Sequence, residues 1–392
     1  MVRVRAFAEF VNTDAAEQYS EKNLAWLGAP SIARTKGGRL FVAYMSGGIY
    51  EPDPRNCGVV ICSEDGGESW SAPIMVLESS RESYLRRSDI NLWTDPEGTL
   101  WMSWNETPYD KGLSLPTYEQ KIDMENDSEY HAREAETWTW VAKCADPDAE
   151  ELEFTAPRRL LPGIMRNRPF AASSGRWFFP AFITAPRDYY EVHFSDDQGE
   201  TFRHVRIKGR PAGRHYDEPC FFERRDGSLA VFLRQTPPCY RYMESFDNGE
   251  SWSEPADLIP AASARPCAHN LHDGSVCFIP SVHEKVRNGL RLMHSEDGYV
   301  FENTLILEDR ERVSYPEITE DEEGTLYVVY DRERNNKLRK SRILGTSEAA
   351  KEILFARIPH AVVRGAAPDE NTIRCRVIQK AGINELENVF TK

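Results

Sequence analysis

The chain repeats itself at intervals of about fifty residues, and that period restricts its fold more than any local pattern. Six Gly-x-apolar steps open candidate strands, at Gly38, Gly98, Gly175, Gly227, Gly274 and Gly324. They are separated by 60, 77, 52, 47 and 50 residues. A second series follows about two strands later and reads Ser-x-Asp-x-Gly-x-Ser/Thr-aromatic: SEDGGESW from Ser63, SDDQGETF from Ser195 and SFDNGESW from Ser245. SEDGYVF from Ser295 is a shortened copy, and CADPDAEELEF from Cys144 a worn one. The chemistry is that of a tight hairpin. Ser and Asp bond back to the backbone, Gly takes positive φ, and the closing aromatic packs inward. A calcium loop is the competing reading, but the EF-hand ligand run with its Glu at position 12 is absent.

Between the boxes lie short apolar or alternating runs, LFVAYMS, LWMSWNE, WFFPAFI, LAVFLRQ, VCFIPSV and LYVVYDR, with little helical periodicity. Units of this size cannot bury a core alone, so the pattern predicts an all-β fold: a six-bladed β-propeller of four-stranded antiparallel blades. The 392 residues then form a single propeller domain. The widened Gly98–Gly175 interval holds a polar segment, about 106–136, expected as an inserted loop.

A formal net charge of −15 argues against nucleic acid and anionic lipid as partners. No run approaches the ~18 apolar residues of a spanning helix, and the N-terminus lacks a secretory apolar stretch. Eight scattered cysteines without a C-x-x-C read as free thiols in a reducing compartment, which places the protein in the cytoplasm. No metal or organic cofactor is implied.

The boxes resemble the Asp-box (BNR) repeats of sialidases, whose fold is a six-bladed propeller, over roughly residues 27–358. That resemblance implies a retaining exo-α-glycosidase acting on a terminal sialic acid or a related acidic 2-keto sugar. The substrate carboxylate would repel a carboxylate nucleophile; the family instead uses Tyr activated by Glu, arginines on the carboxylate and an Asp acid/base. Carried onto this chain, Tyr315 in RVSYPEI is the nucleophile, Glu218 in HYDEPCFFERRDGSLAVFLR its base, and Arg234 and Arg287 the clamp. Asp53 takes the acid/base place, with Glu51 beside it as the alternative. Gly28 stands where the first clamp arginine belongs, leaving Arg34, Arg55, Arg87 and Arg168 as candidates for its replacement. His215, next to Tyr216, reads as a structural histidine. Two rivals stay open: a glycosidase for another acidic sugar, and a glycan-binding propeller without turnover.

Overall fold

The computed structural model describes residues 2–48, 51, 55–80, 83–109, 133–213, 215–235, 239–260, 264–281, 283, 286–332 and 351–382. It is an all-β, six-bladed propeller. Blade 1 runs Leu27–Arg34, Leu40–Ser46, Cys57–Ser63 and Met75–Leu77, with Val11–Asn12 as an added outer strand. Blade 2 is Leu85–Thr94, Leu100–Pro108, Trp138–Cys144 and Arg158–Pro162. Blade 3 is Phe170–Ala171, Trp177–Phe179, Tyr189–Ser195 and Arg203–Lys208. Blades 4 and 5 begin at Cys220–Glu223 and Cys267–Asn270, and blade 6 runs Val313–Glu320, Leu326–Arg332, Glu352–Ile358 and Ile373–Lys380. The strand Leu100–Pro108 carries blade 2 past residue 106, because Glu106 pairs with Trp138 and binds Arg87 at 2.7 Å. The inserted segment therefore starts later than its polarity implies; residues 110–132 lie outside the described set.

Both repeat series are turns. The six step glycines have φ between 81° and 99° and close the hairpin from the first strand of a blade to the second. Each Ser-Asp box closes the third strand to the fourth. In the first, the Ser63 hydroxyl donates to Asp65 at 2.8 Å and accepts from the Gly67 N–H at 2.9 Å. The boxes from Ser195 and Ser245 repeat these bonds. Hydrogen bonds led by the Ser69 hydroxyl hold the Asp65 carboxyl down at about 2.

The box glycines also press on the preceding blade. A Cβ at Gly67 would stand 2.3 Å from Phe355 of blade 6, and one at Gly249 2.6 Å from Phe178 of blade 3. Trp70 and Trp252 follow them inward, at 5.4 Å from Phe355 and 6.2 Å from Phe178. Apolar side chains fill each gap between blades, so the core is a ring around a polar hub. Trp93, Trp101 and Trp177 form one such cluster, with centroids 4.9–5.7 Å apart. All eight cysteines are free thiols. Among the described residues no helix is long and apolar enough to cross a membrane, and no cluster of three or more His, Cys, Asp or Glu is arranged to hold a metal ion.

Candidate active site

Near their starts several of the inner strands of the blades break. Ala29 in blade 1, Asp89 in blade 2, Glu218 in blade 4 and Tyr315 in blade 6 take φ of 49°, 51°, 41° and 56°. For non-glycine residues this left-handed region costs about 1–2 kcal/mol each. Register shifts at Gly28/Ser31, Ser88/Asn91 and Ser314/Glu317 mark three of these kinks as β-bulges. The bulge turns a side chain that would lie between blades into the central funnel. Blade 3 breaks more completely: a bend over residues 166–169 separates Ile164–Met165 from Phe170–Ala171 and delivers Arg166 to the hub.

These residues meet in one cluster. The Tyr315 hydroxyl donates to Glu218 Oε1 at 2.7 Å. Arg234 Nη1 donates to Glu218 Oε1 at 2.9 Å and to the Tyr315 oxygen at 3.1 Å. Arg166 Nη1 reaches the same oxygens at 3.5 and 3.2 Å. The Arg287 guanidinium carbon lies 5.4 Å from the centre of the Tyr315 ring. Tyr216 lies under the arginines, its ring centre 5.7 Å from Arg166 and 5.3 Å from Arg234. Asn167 donates to the Glu218 and Pro219 carbonyls at 3.0 and 2.7 Å, fixing the Glu218 kink from the next blade.

The charges are arranged against burial. Burial alone would raise the Glu218 carboxyl; Arg234 and Arg166, with the Tyr315 hydroxyl, outweigh it and hold Glu218 below the ordinary range. Asp89 goes the other way, raised by burial, with Arg166 opposing and Glu51 adding to the shift. Arg166 itself binds Asp89 through Nε at 3.2 Å and Glu51 through Nη2 at 2.9 Å. A buried hydroxyl on a carboxylate, ringed by guanidiniums, is an arrangement for activating a phenol and gripping an anion.

Residues 38–328 match the family described as BNR repeat-like domain. The chain belongs to that family. No curated protein matches it. Among solved structures, the BNR repeat-like chain is similar in fold to the intramolecular trans-sialidase of Ruminococcus gnavus, at 14% identity and TM-score 0.64, over 92% of this chain and 100% of that one. The NanB sialidase of Streptococcus pneumoniae aligns at 14% identity and TM-score 0.60, over 80% of this chain; the chain spans 66% of NanB, just under two thirds. The sialidase of Trypanosoma rangeli aligns at 15% identity and TM-score 0.60, over 88% of this chain and 55% of that one.

Of the residues singled out in the sequence of this BNR repeat-like protein, Tyr315, Glu218, Arg234 and Arg287 share the hub cluster, and Glu51 joins it through Arg166. Asp53 lies outside the described residues. Three arginine candidates are placed elsewhere. Arg87 binds Glu106 and stacks 3.7 Å over Phe10, between blades 1 and 2. Arg34 pairs with Glu322 at 2.9 Å, and Arg168 lies 3.5 Å from Glu317 and meets His269; both line a cavity of about 470 Å³ at the opposite end of the inner strands. The bend at Asn167 separates Arg166 from Arg168, sending one to each face. The segment singled out in the sequence does deliver an arginine to the hub, but it is Arg166, not Arg168. Asp89 was also passed over, although a carboxylate two positions after an arginine pair, in an inner strand, was a readable signal. His215 Nε2 meets the Ala212 carbonyl at 3.2 Å.

Proposed function

We propose that this protein is a retaining exo-α-glycosidase of sialidase type, acting on a terminal sialic acid or related acidic 2-keto sugar. The 2.7 Å contact between the Tyr315 hydroxyl and Glu218, inside a set of arginines, carries the reading. Arg234, Arg287 and Arg166 would take the substrate carboxylate and offset the charge of the oxocarbenium-like transition state. Tyr315 Oη attacks the anomeric carbon as Glu218 takes its proton, and the glycosidic C–O bond breaks with its oxygen protonated by Asp53. Water then attacks the glycosyl-tyrosine, giving its proton to Asp53, and the phenol regains its proton from Glu218. Asp53 is preferred over Glu51 as acid because Glu51 is tied up at 2.9 Å by Arg166.

A second reading, another acidic sugar in the same funnel, draws on one observation. The third arginine enters from blade 3, while blade 1 offers Trp26, Ala29 and Met45 packed on Tyr315. Turnover of a fluorogenic sialoside by the native protein, lost in Tyr315→Phe, is the expected result. Absence of turnover with sialosides, together with cleavage of another 2-keto sugar, selects the second reading; absence of turnover with every acidic sugar defeats both.

A further inference from the structure

We propose that Arg265 is a positioning residue for the Tyr315 nucleophile, acting on backbone rather than on substrate. This rests on the reading of Tyr315 given above. Arg265 precedes the inner strand of blade 5, and it is only 2% exposed. Its guanidinium crosses the hub beneath the site. Nη2 donates to the carbonyls of Pro316 at 2.8 Å, Tyr315 at 3.2 Å and Pro30 at 3.4 Å, and Nη1 donates to the Arg166 carbonyl. Glu317 Oε2 lies 3.2 Å from Nη1 and holds the group from the far side.

Those four carbonyls are the ones the broken inner strands set free. Tyr315 and Pro316 fall in the gap of the blade 6 ladder, between the Ser314–Asp331 and Glu317–Val329 pairs. Pro30 falls in the corresponding gap of blade 1, between Gly28 and Ser31, and Arg166 sits in the bend of blade 3. Buried carbonyls need donors, and a planar fork with several N–H groups at one point supplies them to three blades together. Lysine has fewer donors and no plane, so it cannot span the same set. The kink that aims Tyr315 at Glu218 and the bend that aims Arg166 at Tyr315 are thus fixed by one side chain. The guanidinium carbon also stands 5.2 Å from the Tyr315 ring centre, on a group that takes no part in binding Glu218.

Arg265→Lys and Glu317→Gln, with Arg265→Met as the harsher change, test this on the full chain with a fluorogenic sialoside. The expected result is a fall in kcat of about 10²-fold for Arg265→Met and about 10-fold for Arg265→Lys, with KM within about 3-fold, because a misplacement near 1 Å acts on the reacting geometry. Glu317→Gln, which leaves Arg265 in place but loosens it, should lower kcat in the same sense. A crystal structure of Arg265→Lys should show the Tyr315 hydroxyl displaced from Glu218. Unchanged kcat in folded Arg265→Lys and Glu317→Gln, or a Tyr315–Glu218 contact left intact in that structure, overturns the proposal. A wild type inactive on sialosides would instead strike at the function proposed for the site, and the crystal structure would then decide the role of Arg265 alone.

Discussion

Arg166→Met removes the cation around which three carboxylates gather, and its effect on stability can be worked from the distances. Arg166 lies 3.2 Å from Asp89, 2.9 Å from Glu51 and 3.5 Å from Glu218, and the acids' side chains are 3%, 10% and 0% exposed. At an effective permittivity of about 20, each contact is worth about 5 kcal/mol before desolvation is charged against it. Removing one partner of a buried pair destabilises by about 3–5 kcal/mol, because an uncompensated charge stays behind. The variant should lose about that much at neutral pH. The deficit should also depend on pH. Asp89 is already raised by burial, and Arg166 is the main influence holding it down, so the substitution lifts it further. A carboxyl whose folded pKa exceeds its unfolded value favours the folded state at low pH, and that advantage is lost as pH rises from the ordinary value through the folded one. The loss should therefore be smaller at acid pH, where Asp89 is protonated in both proteins, and grow as pH rises. Urea unfolding followed by tryptophan fluorescence at several pH values reads both quantities. A deficit below about 1 kcal/mol at neutral pH, or one independent of pH, would refute the reasoning.

Tyr315→Phe should lower turnover by at least about 10³-fold while binding of a substrate analogue persists, measured by steady-state kinetics and calorimetry. Glu218→Gln should cost about 10²–10⁴-fold. Because Glu218 is held below the ordinary carboxylate range and the proposed mechanism needs it ionised, wild-type kcat should hold to lower pH than an ordinary glutamate would allow before it falls. Burial pushes Glu320 from 4.5 to about 7, so the folded state loses stability as pH rises between those values; Glu320→Gln should gain up to about 3 kcal/mol near pH 8 and nothing near pH 4, by thermal denaturation. Gly249→Ala combines positive φ with a clash on Phe178, and a loss of about 2–5 kcal/mol is expected in chemical denaturation.

The propeller was legible because its repeats are turns, and turn chemistry is local: a Ser-Asp-Gly box announces its hairpin without help from the rest of the chain. Tyr315, Glu218, Arg234 and Arg287 were legible through the resemblance to sialidases, whose motifs they match in order and context. What stayed hidden was geometry produced by the hub. Ala29, Glu218 and Tyr315 are not residues that advertise left-handed backbone, and their kinks exist because neighbouring blades hold them. Arg166 and Arg168, two apart, would share a side in a continuous strand, and only the bend at Asn167 parts them. Arg265 follows no motif at all, since its partners are backbone carbonyls on three other blades.

Among the described residues, no blade combines strands from both chain ends: blade 1 is built from the N-terminal part and blade 6 from the C-terminal part. The join between them is made mostly by side chains, beside one backbone bond from the Gly382 N–H to the Glu21 carbonyl at 2.9 Å. Asp331 accepts from the Ala29 N–H at 2.8 Å, Lys351 reaches the Ala25 carbonyl, Glu68 pairs with Arg357 and Arg376, and Phe355 seats on Gly67. A clasp of this kind lets go before a hydrogen-bonded ladder does, and salt weakens its exposed ion pairs first. Tyr315 sits on the blade beside that clasp, against Ala29. Any breathing of the ring would therefore be felt at Tyr315 sooner than at Glu218 or Arg234 across the hub.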